Sequence, residues 1–240
     1  METAMHSSLN AIFQRRAIRV FDPIEISPTL RDELLEAARL APSSCNSQPY
    51  RLFWVSSCDS RRMVAQLCFS QPPAETASAL VVAVVDIGAW RSTALGQLEW
   101  MRASGFSPEK IAEFERKSKL AQWFFLQGWC NLLGAPKWLA FRAINLFKII
   151  GVPPVTRQGL FKWATKSTSL ACENLMIAGE SLGLNTCPME GFDARRLGRF
   201  LRLSSRDHEI VVVIAIGKKS PRHIDQPQWR RPRESTVTIL

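Results

Sequence analysis

The chain has 240 residues, 46% of them hydrophobic and 22% charged. That is ordinary globular composition with enough length for one substantial core, which excludes a disordered, fibrous or low-complexity chain. The net charge of +10 is unevenly placed: between Glu115 and Glu173 there is no acidic residue, but nine basic ones, Arg116, Lys117, Lys119, Lys137, Arg142, Lys148, Arg157, Lys162 and Lys166. Removing those nine from the 31 basic residues leaves 22 against 21 acidic ones, so a uniform nucleic-acid-binding surface is excluded.

In chain order, residues 5–14 read as a short amphipathic helix running into Arg15-Arg16-Ala17-Ile18-Arg19, with Phe21-Asp22-Pro23 as its stop. Ser27 and Pro28 form a helix start, an N-cap followed by a proline at the first helical position. Leu30, Leu34, Leu35, Ala38 and Ala41 keep helical spacing up to Pro42. A polar turn, Pro42-Ser43-Ser44-Cys45-Asn46-Ser47-Gln48-Pro49, leads into a strand over 51–55. The continuous apolar run from Ala79 to Val85 predicts a central strand buried on both faces. A helix is expected over 168–182, closed by Gly183. Asp193 caps a short helix to about Leu201, and Ile210 to Ile216 gives a third strand. Residues 235–239 suggest an edge strand. Helices separate the strands by connections too long for hairpins, which predicts an α+β or mixed α/β domain. The region 90–165 lies between core elements like an insertion.

The six cysteines (Cys45, Cys58, Cys68, Cys130, Cys172 and Cys187) form no CxxC pair and no Cys/His metal spacing. They read as reduced thiols of a cytoplasmic protein, and the opening METAMHSSLNAIFQRR has no apolar core of signal-peptide length. No histidine lies in a motif, and no GxGxxG follows a strand, so a Rossmann nucleotide site is not expected.

Three segments carry candidate chemistry. Ser43, Ser44, Asn46 and Gln48 crowd donors and acceptors into six residues; the plainer reading is a turn held by its own side chains. Arg15, Arg16 and Arg19 at one end, and Arg230, Arg231 and Arg233 at the other, supply the bidentate cationic donors that a terminal phosphate requires, or else a solvated basic face. Cys187-Pro188-Met189-Glu190-Gly191-Phe192-Asp193 reads alone as a loop before a capped helix, with Gly191 permitting close backbone approach to a flat ligand.

Taken together and in order, RRAIRVFDP, EAARLAPSSCNSQPYRLFWV, ENLMIAGESLGLNTCPMEGFD, IVVVIAIGKKS and the late WRRP make the chain similar to the FMN-dependent nitroreductase family. The resemblance covers roughly residues 10–90 and 165–235. It implies one α+β nitroreductase-like domain over 1–240, with a central mixed, mainly antiparallel sheet flanked by helices and a helical insertion at 90–165. It also implies a homodimer with FMN at the interface and NADH or NADPH as hydride donor to a nitroaromatic, quinone or similar small acceptor in a ping-pong cycle. No nucleic acid is expected as a partner.

Site residues follow from the same resemblance. Arg15, Arg16, Ala17 and Arg19 would hold the FMN phosphate and the pyrimidine edge, Ala17 standing where the family usually has serine. Pro42, Ser43, Ser44, Asn46 and Gln48 would line the flavin from the partner subunit. Glu190 and Gly191 would bring backbone amides to flavin N5, and Arg230 would reach the phosphate. Ser70 and Gln71 are further candidates in a segment that matches less well. Other branches of the fold, reductive dehalogenation or dehydrogenation of a small metabolite, remain open, as does a non-catalytic basic lipid- or nucleic-acid-binding module.

The stretch 116–166 holds Trp123, Trp129, Trp138 and Trp163 among apolar runs interleaved with Lys137, Arg142 and Lys148. It has no uncharged run long enough to span a bilayer. Two readings are open: a helical lid that joins the dimer contact, or helices lying on an anionic membrane surface, peripheral to the inner membrane.

Overall fold

A computed structural model describes residues 9–125, 133–148 and 154–240. The first part of the expected opening helix lies outside the described residues, as do Leu126, Trp129, Cys130, Ile149 and Ile150 of the Trp-rich middle.

The elements follow from local sequence up to the point where long-range pairing takes over. Helix α1 spans 9–14. Helix α2, Pro28–Arg39, starts as the sequence predicts: Ser27 Oγ accepts from Leu30 N at 3.2 Å. Strand β2, Tyr50–Val55, contains the expected 51–55 segment, and helices α3, Cys58–Leu67, and α4, Pro72–Thr76, follow. Strand β3, Ala79–Asp86, is buried from Ala79 to Val85 without a break, which is why its sequence is apolar at every position. Helices α5, Trp90–Ala103, α6, Pro108–Phe125, and α7, Gly134–Asn145, fill the middle of the chain. Helix α8 is Arg157–Ser181, strand β4 Asn185–Met189, helix α9 Ala194–Phe200 and strand β5 His208–Lys219.

Four expectations need correction. The helix expected from residue 168 begins at Arg157, because Thr156 Oγ1 accepts from Gly159 N at 3.0 Å and caps it eleven residues earlier. Phe21-Asp22 is not merely a stop: it is a two-residue strand, β1, paired with Lys219 and Lys218. The first part of the supposed loop at 187–193 belongs to β4, which pairs with β5 from Asn185↔Gly217 to Met189↔Val213. The chain's end forms a 3-10 turn at Arg233–Ser235 and no strand, and Val237 and Ile239 are exposed.

The sheet has five strands in the order β1-β5-β3-β2, with β4 also on β5, and every strand pair is antiparallel. The only parallel element among the described residues is an isolated bridge between Ala17 and Thr186. Helices cover both faces. Leu80, Val82, Val84, Val213 and Ala215 pack with Val64, Ala74 and Leu197 of α3, α4 and α9. Val81, Ala83, Ile214 and Ile216 pack with Leu34 and Ala38 of α2 and with Ala171 and Leu175 of α8. Each fully buried aliphatic side chain contributes about 1.5–3 kcal/mol, so the α+β architecture rests on these two faces.

Burial also sets the thiol chemistry. It pushes the Cys68 thiol up to about 11 and, with Glu173 nearby, the Cys172 thiol up to about 12. Their contribution to stability is present below the ordinary thiol range and is lost as the pH rises toward those values. Cys45 and Cys58 are exposed. A maleimide at neutral pH is therefore expected to label Cys45 and Cys58 in the folded protein and to reach Cys68, Cys172 and Cys187 only after denaturant is added, as read by peptide mass spectrometry.

Candidate functional site

The arginine-rich opening is held against β4. Ile18 N donates to Thr186 O at 3.1 Å beside the Ala17–Thr186 bridge. Arg15 pairs with Glu173 of α8 at 3.7 Å and is largely covered. Arg15 and Arg19 both reach Cys187 electrostatically: burial raises that thiol, while Arg19 and Arg15 pull it down. Arg19 N donates to His223 Nδ1 at 3.2 Å, and Lys219 ion-pairs with Asp225. The Asp225 carboxyl is held below its usual range by Lys219 first, then by His223 and Arg16. The edge of β4 thus meets an arch formed by the segment that carries Arg15 and Arg19, with Glu173 and Asp225 as the acidic partners of Arg15 and Lys219.

Not every predicted residue takes the same part. Arg16 turns back on α1, its Nη1 donating to the carbonyls of Phe13 (2.7 Å), Gln14 (3.1 Å) and Arg15 (3.1 Å), which closes that helix. Ala17 is exposed. Arg230 is not joined to the arch: its only hydrogen bond among the described residues is from Nη1 to Trp229 O at 2.8 Å. The physical reason is that no helix or strand holds 221–232, where Ile224 and Trp229 are largely exposed.

Strand β4 ends at Met189, and Glu190 and Gly191 just beyond it are exposed. In an antiparallel strand, alternate residues direct N–H and C=O to opposite edges. Thr186 O faces the opening segment, so Pro188 faces that side too, and proline costs no ladder bond here. Among the described residues the N–H groups of Glu190 and Gly191 donate to no backbone acceptor.

Gln71 fixes this strand end. Its Nε2 donates to Gly191 O at 2.6 Å and to Cys68 O at 2.9 Å. Two carbonyl acceptors dictate which way the amide points. A Cβ on Gly191 would stand 2.9 Å from Gln71 Nε2. Asp193 N donates to Leu67 O at 2.8 Å and ties the same loop to α3. Neighbouring Ser70 has a φ of 49° and serves the turn that presents Gln71. The sequence had no local signal for this brace, because its partners lie 120 residues apart.

The polar turn is a separate surface. Cys45, Asn46 and Gln48 have φ of 56°, 49° and 44°, a conformation costing about 1–2 kcal/mol for each non-glycine residue. Ser43 Oγ accepts from Gln48 N at 3.1 Å, and Gln48 Nε2 donates to Asn46 Oδ1 at 3.1 Å. Gln97 of α5 donates to Asn46 O at 2.8 Å. The turn is stabilised by its own side chains and by α5, with Pro42 and Ser44 facing outward. No hydrogen bond or ion pair among the described residues links it to the arginine arch.

The model of the nitroreductase family matches residues 12–218. The protein DrgA of Synechocystis is 28% identical over 225 residues, covering 93% of this chain and 88% of its own length. An NADH dehydrogenase of Thermus thermophilus is 26% identical over 227 residues, covering 95% and 93%. A protein of Exiguobacterium sibiricum solved in complex with FMN superposes with a TM-score of 0.73 at 21% identity, covering 97% of this chain and 96% of its own. With the match spanning the arginine-rich opening, the polar turn and all but the last residue of β5, the chain belongs to the nitroreductase family of oxidoreductases.

Proposed function

We propose that this chain is an FMN-dependent oxidoreductase that takes hydride from NADH or NADPH and delivers it to a small nitroaromatic, quinone or similar acceptor, working as a homodimer in a ping-pong cycle. The observation that carries the reading is the β4 edge. The segment carrying Arg15 and Arg19 is tied to β4 through the Ala17–Thr186 bridge and Ile18 N, and Gln71 pins Gly191 five residues beyond Thr186. A mononucleotide has the same polarity, an anionic phosphate at one end and a flat polar ring at the other.

The residues present fit such a group. Arg15 and Arg19 bind the phosphate through charge and paired N–H donors. The backbone N–H groups at Glu190 and Gly191 have no backbone acceptor and are available to a ring nitrogen, and Gly191, lacking a Cβ, admits a close planar neighbour. When bound, FMN supplies the two-electron chemistry. The chain's part is to orient, to shield and to supply positive charge where negative charge develops. Donors on a preorganised backbone need no rearrangement, which is the use of the Gln71 brace. The turn 42–48, exposed at Pro42 and from Ser44 to Asn46, and the tail carrying Arg230 are surfaces that a second copy would complete, and the expected nicotinamide donor agrees with the name of the Thermus relative.

The test is spectroscopic. Purified protein saturated with FMN is expected to be yellow, to sediment as a dimer and to lose its flavin absorption on mixing with NADH or NADPH. A protein that binds no FMN, or whose bound FMN neither nicotinamide reduces, would overturn the proposal. A finer expectation concerns Gln71→Ala. A neutral hydrogen bond contributes about 0.5–1.5 kcal/mol, so releasing Gly191 O is expected to weaken FMN binding roughly 2- to 12-fold, measured by fluorescence titration, without unfolding the protein.

A further inference from the structure

Helix α7 is exposed along nearly its whole length. From 133 to 148 only Gly134 is buried, while Leu139 is 65% exposed, Leu146 81% and Phe147 87%. Between residues 120 and 156 the only charged side chains are Lys137, Arg142 and Lys148, all basic. Helical spacing sorts these groups. Lys137, Phe141 and Ile144 lie on the side that meets α6, where Lys137 Nζ sits 4.5 Å from the centre of the Trp123 ring and the same residues line a hollow of about 310 Å³. On the opposite side Ala135, Leu139, Ala143 and Leu146 form a stripe with no charge. Arg142 flanks it, stacked on Trp138 at 5.4 Å.

We propose that α7 docks on the surface of an anionic lipid bilayer, with Leu139 and Leu146 of the stripe entering the acyl boundary, and with Arg142 and, from the turn that follows the helix, Lys148 supplying cations to lipid phosphates. Three features favour lipid. Two outward leucines beside a tryptophan and an arginine, on a helix without an acidic residue, suit the plane of a membrane interface. With no carboxylate from 116 to 172, the patch has no charge of its own to repel an anionic headgroup. The competing occupant, a second copy, offers poor complements. The same helix would set Arg142 and Lys148 against like charges, and the acidic groove of α2 has Asp32 already paired with Arg31 at 2.8 Å and Glu36 with Arg39 at 2.6 Å, which leaves Glu33 as its one carboxylate without an ion pair among the described residues. No helix among the described residues is long and apolar enough to cross a membrane. The inference does not depend on the flavin reading, because lipid binding is read without turnover.

Flotation of the full chain with phosphatidylcholine vesicles, with and without phosphatidylglycerol, tests it. The protein is expected to float only with the anionic vesicles and to be released by salt, because headgroup attraction is screened. The pair Leu139→Asp and Leu146→Asp is expected to lower flotation at least tenfold. Thermal melting and sedimentation should be unchanged, since both side chains are exposed. Arg142→Glu with Lys148→Glu is expected to remove the preference for anionic lipid. A full chain that stays in solution with both vesicle types would overturn the proposal. So would aspartate variants that still float but change from dimer to monomer, which would assign α7 to a contact between copies.

Discussion

Replacing Phe21 with alanine is expected to destabilise the fold by about 3–5 kcal/mol, the range for truncating a buried aromatic side chain. Phe21 is 1% exposed, packs with Ile18 and Cys187, and donates its N–H to Thr76 Oγ1 at 3.1 Å. It also fills the space above Gly217, where a Cβ would lie 3.0 Å from both Phe21 Cβ and Cδ1. The peg and its glycine seat are therefore one unit. Gly217→Ala alone is expected to cost about 1–3 kcal/mol through overpacking, and the double variant less than the sum, because the added methyl then occupies part of the cavity. Guanidinium unfolding of the four proteins reads the cycle. A loss below about 1 kcal/mol for Phe21→Ala would contradict the burial described.

Removing Arg15 and Arg19 together is expected to abolish retention of FMN while leaving the sheet intact. A hydrogen bond to a charged group contributes about 1.5–3 kcal/mol. Arg19 is exposed and its share is screened by solvent, so the low end applies, and the double alanine variant is expected to weaken FMN binding by about a hundredfold. Arg16→Ala is the informative control. Its guanidinium closes α1, so its loss is expected to shift the melting temperature more than FMN affinity. Equilibrium dialysis and a thermal melt separate the two. If Arg16→Ala loses the flavin while Arg15→Ala with Arg19→Ala retains it, the arch has been assigned wrongly.

The elements legible in the sequence were those whose cause is local. Ser27-Pro28 announces α2, Asp193 announces α9 through its bond to Arg196 N at 2.9 Å, and unbroken burial makes β3 plain. The elements missed owe their form to partners far along the chain. A two-residue β1 and a strand containing Pro188 have almost no intrinsic preference for extension, and exist because β5 offers them a ladder. The first turns of α8 were lost in a basic, aromatic stretch whose cap is the single hydroxyl of Thr156. In the site, the arginine arch and the Glu190-Gly191 end were legible through motif order. The Gln71 brace, the Gln97 brace and the His223 contact were not, since each consists of one or two hydrogen bonds across 50 or more residues.

Strand β5 pairs with β1, β3 and β4. Those three partners come from the beginning, middle and later part of the chain, and all of them leave the ribosome before β5 does. Until residues 208–219 emerge, β2 and β3 can form a ribbon, but β1 and β4 have no ladder to join, and the apolar edge of β3 stands open. A nascent chain of this protein therefore carries an apolar central strand unprotected until residues 208–219 have emerged, and the sheet closes only then.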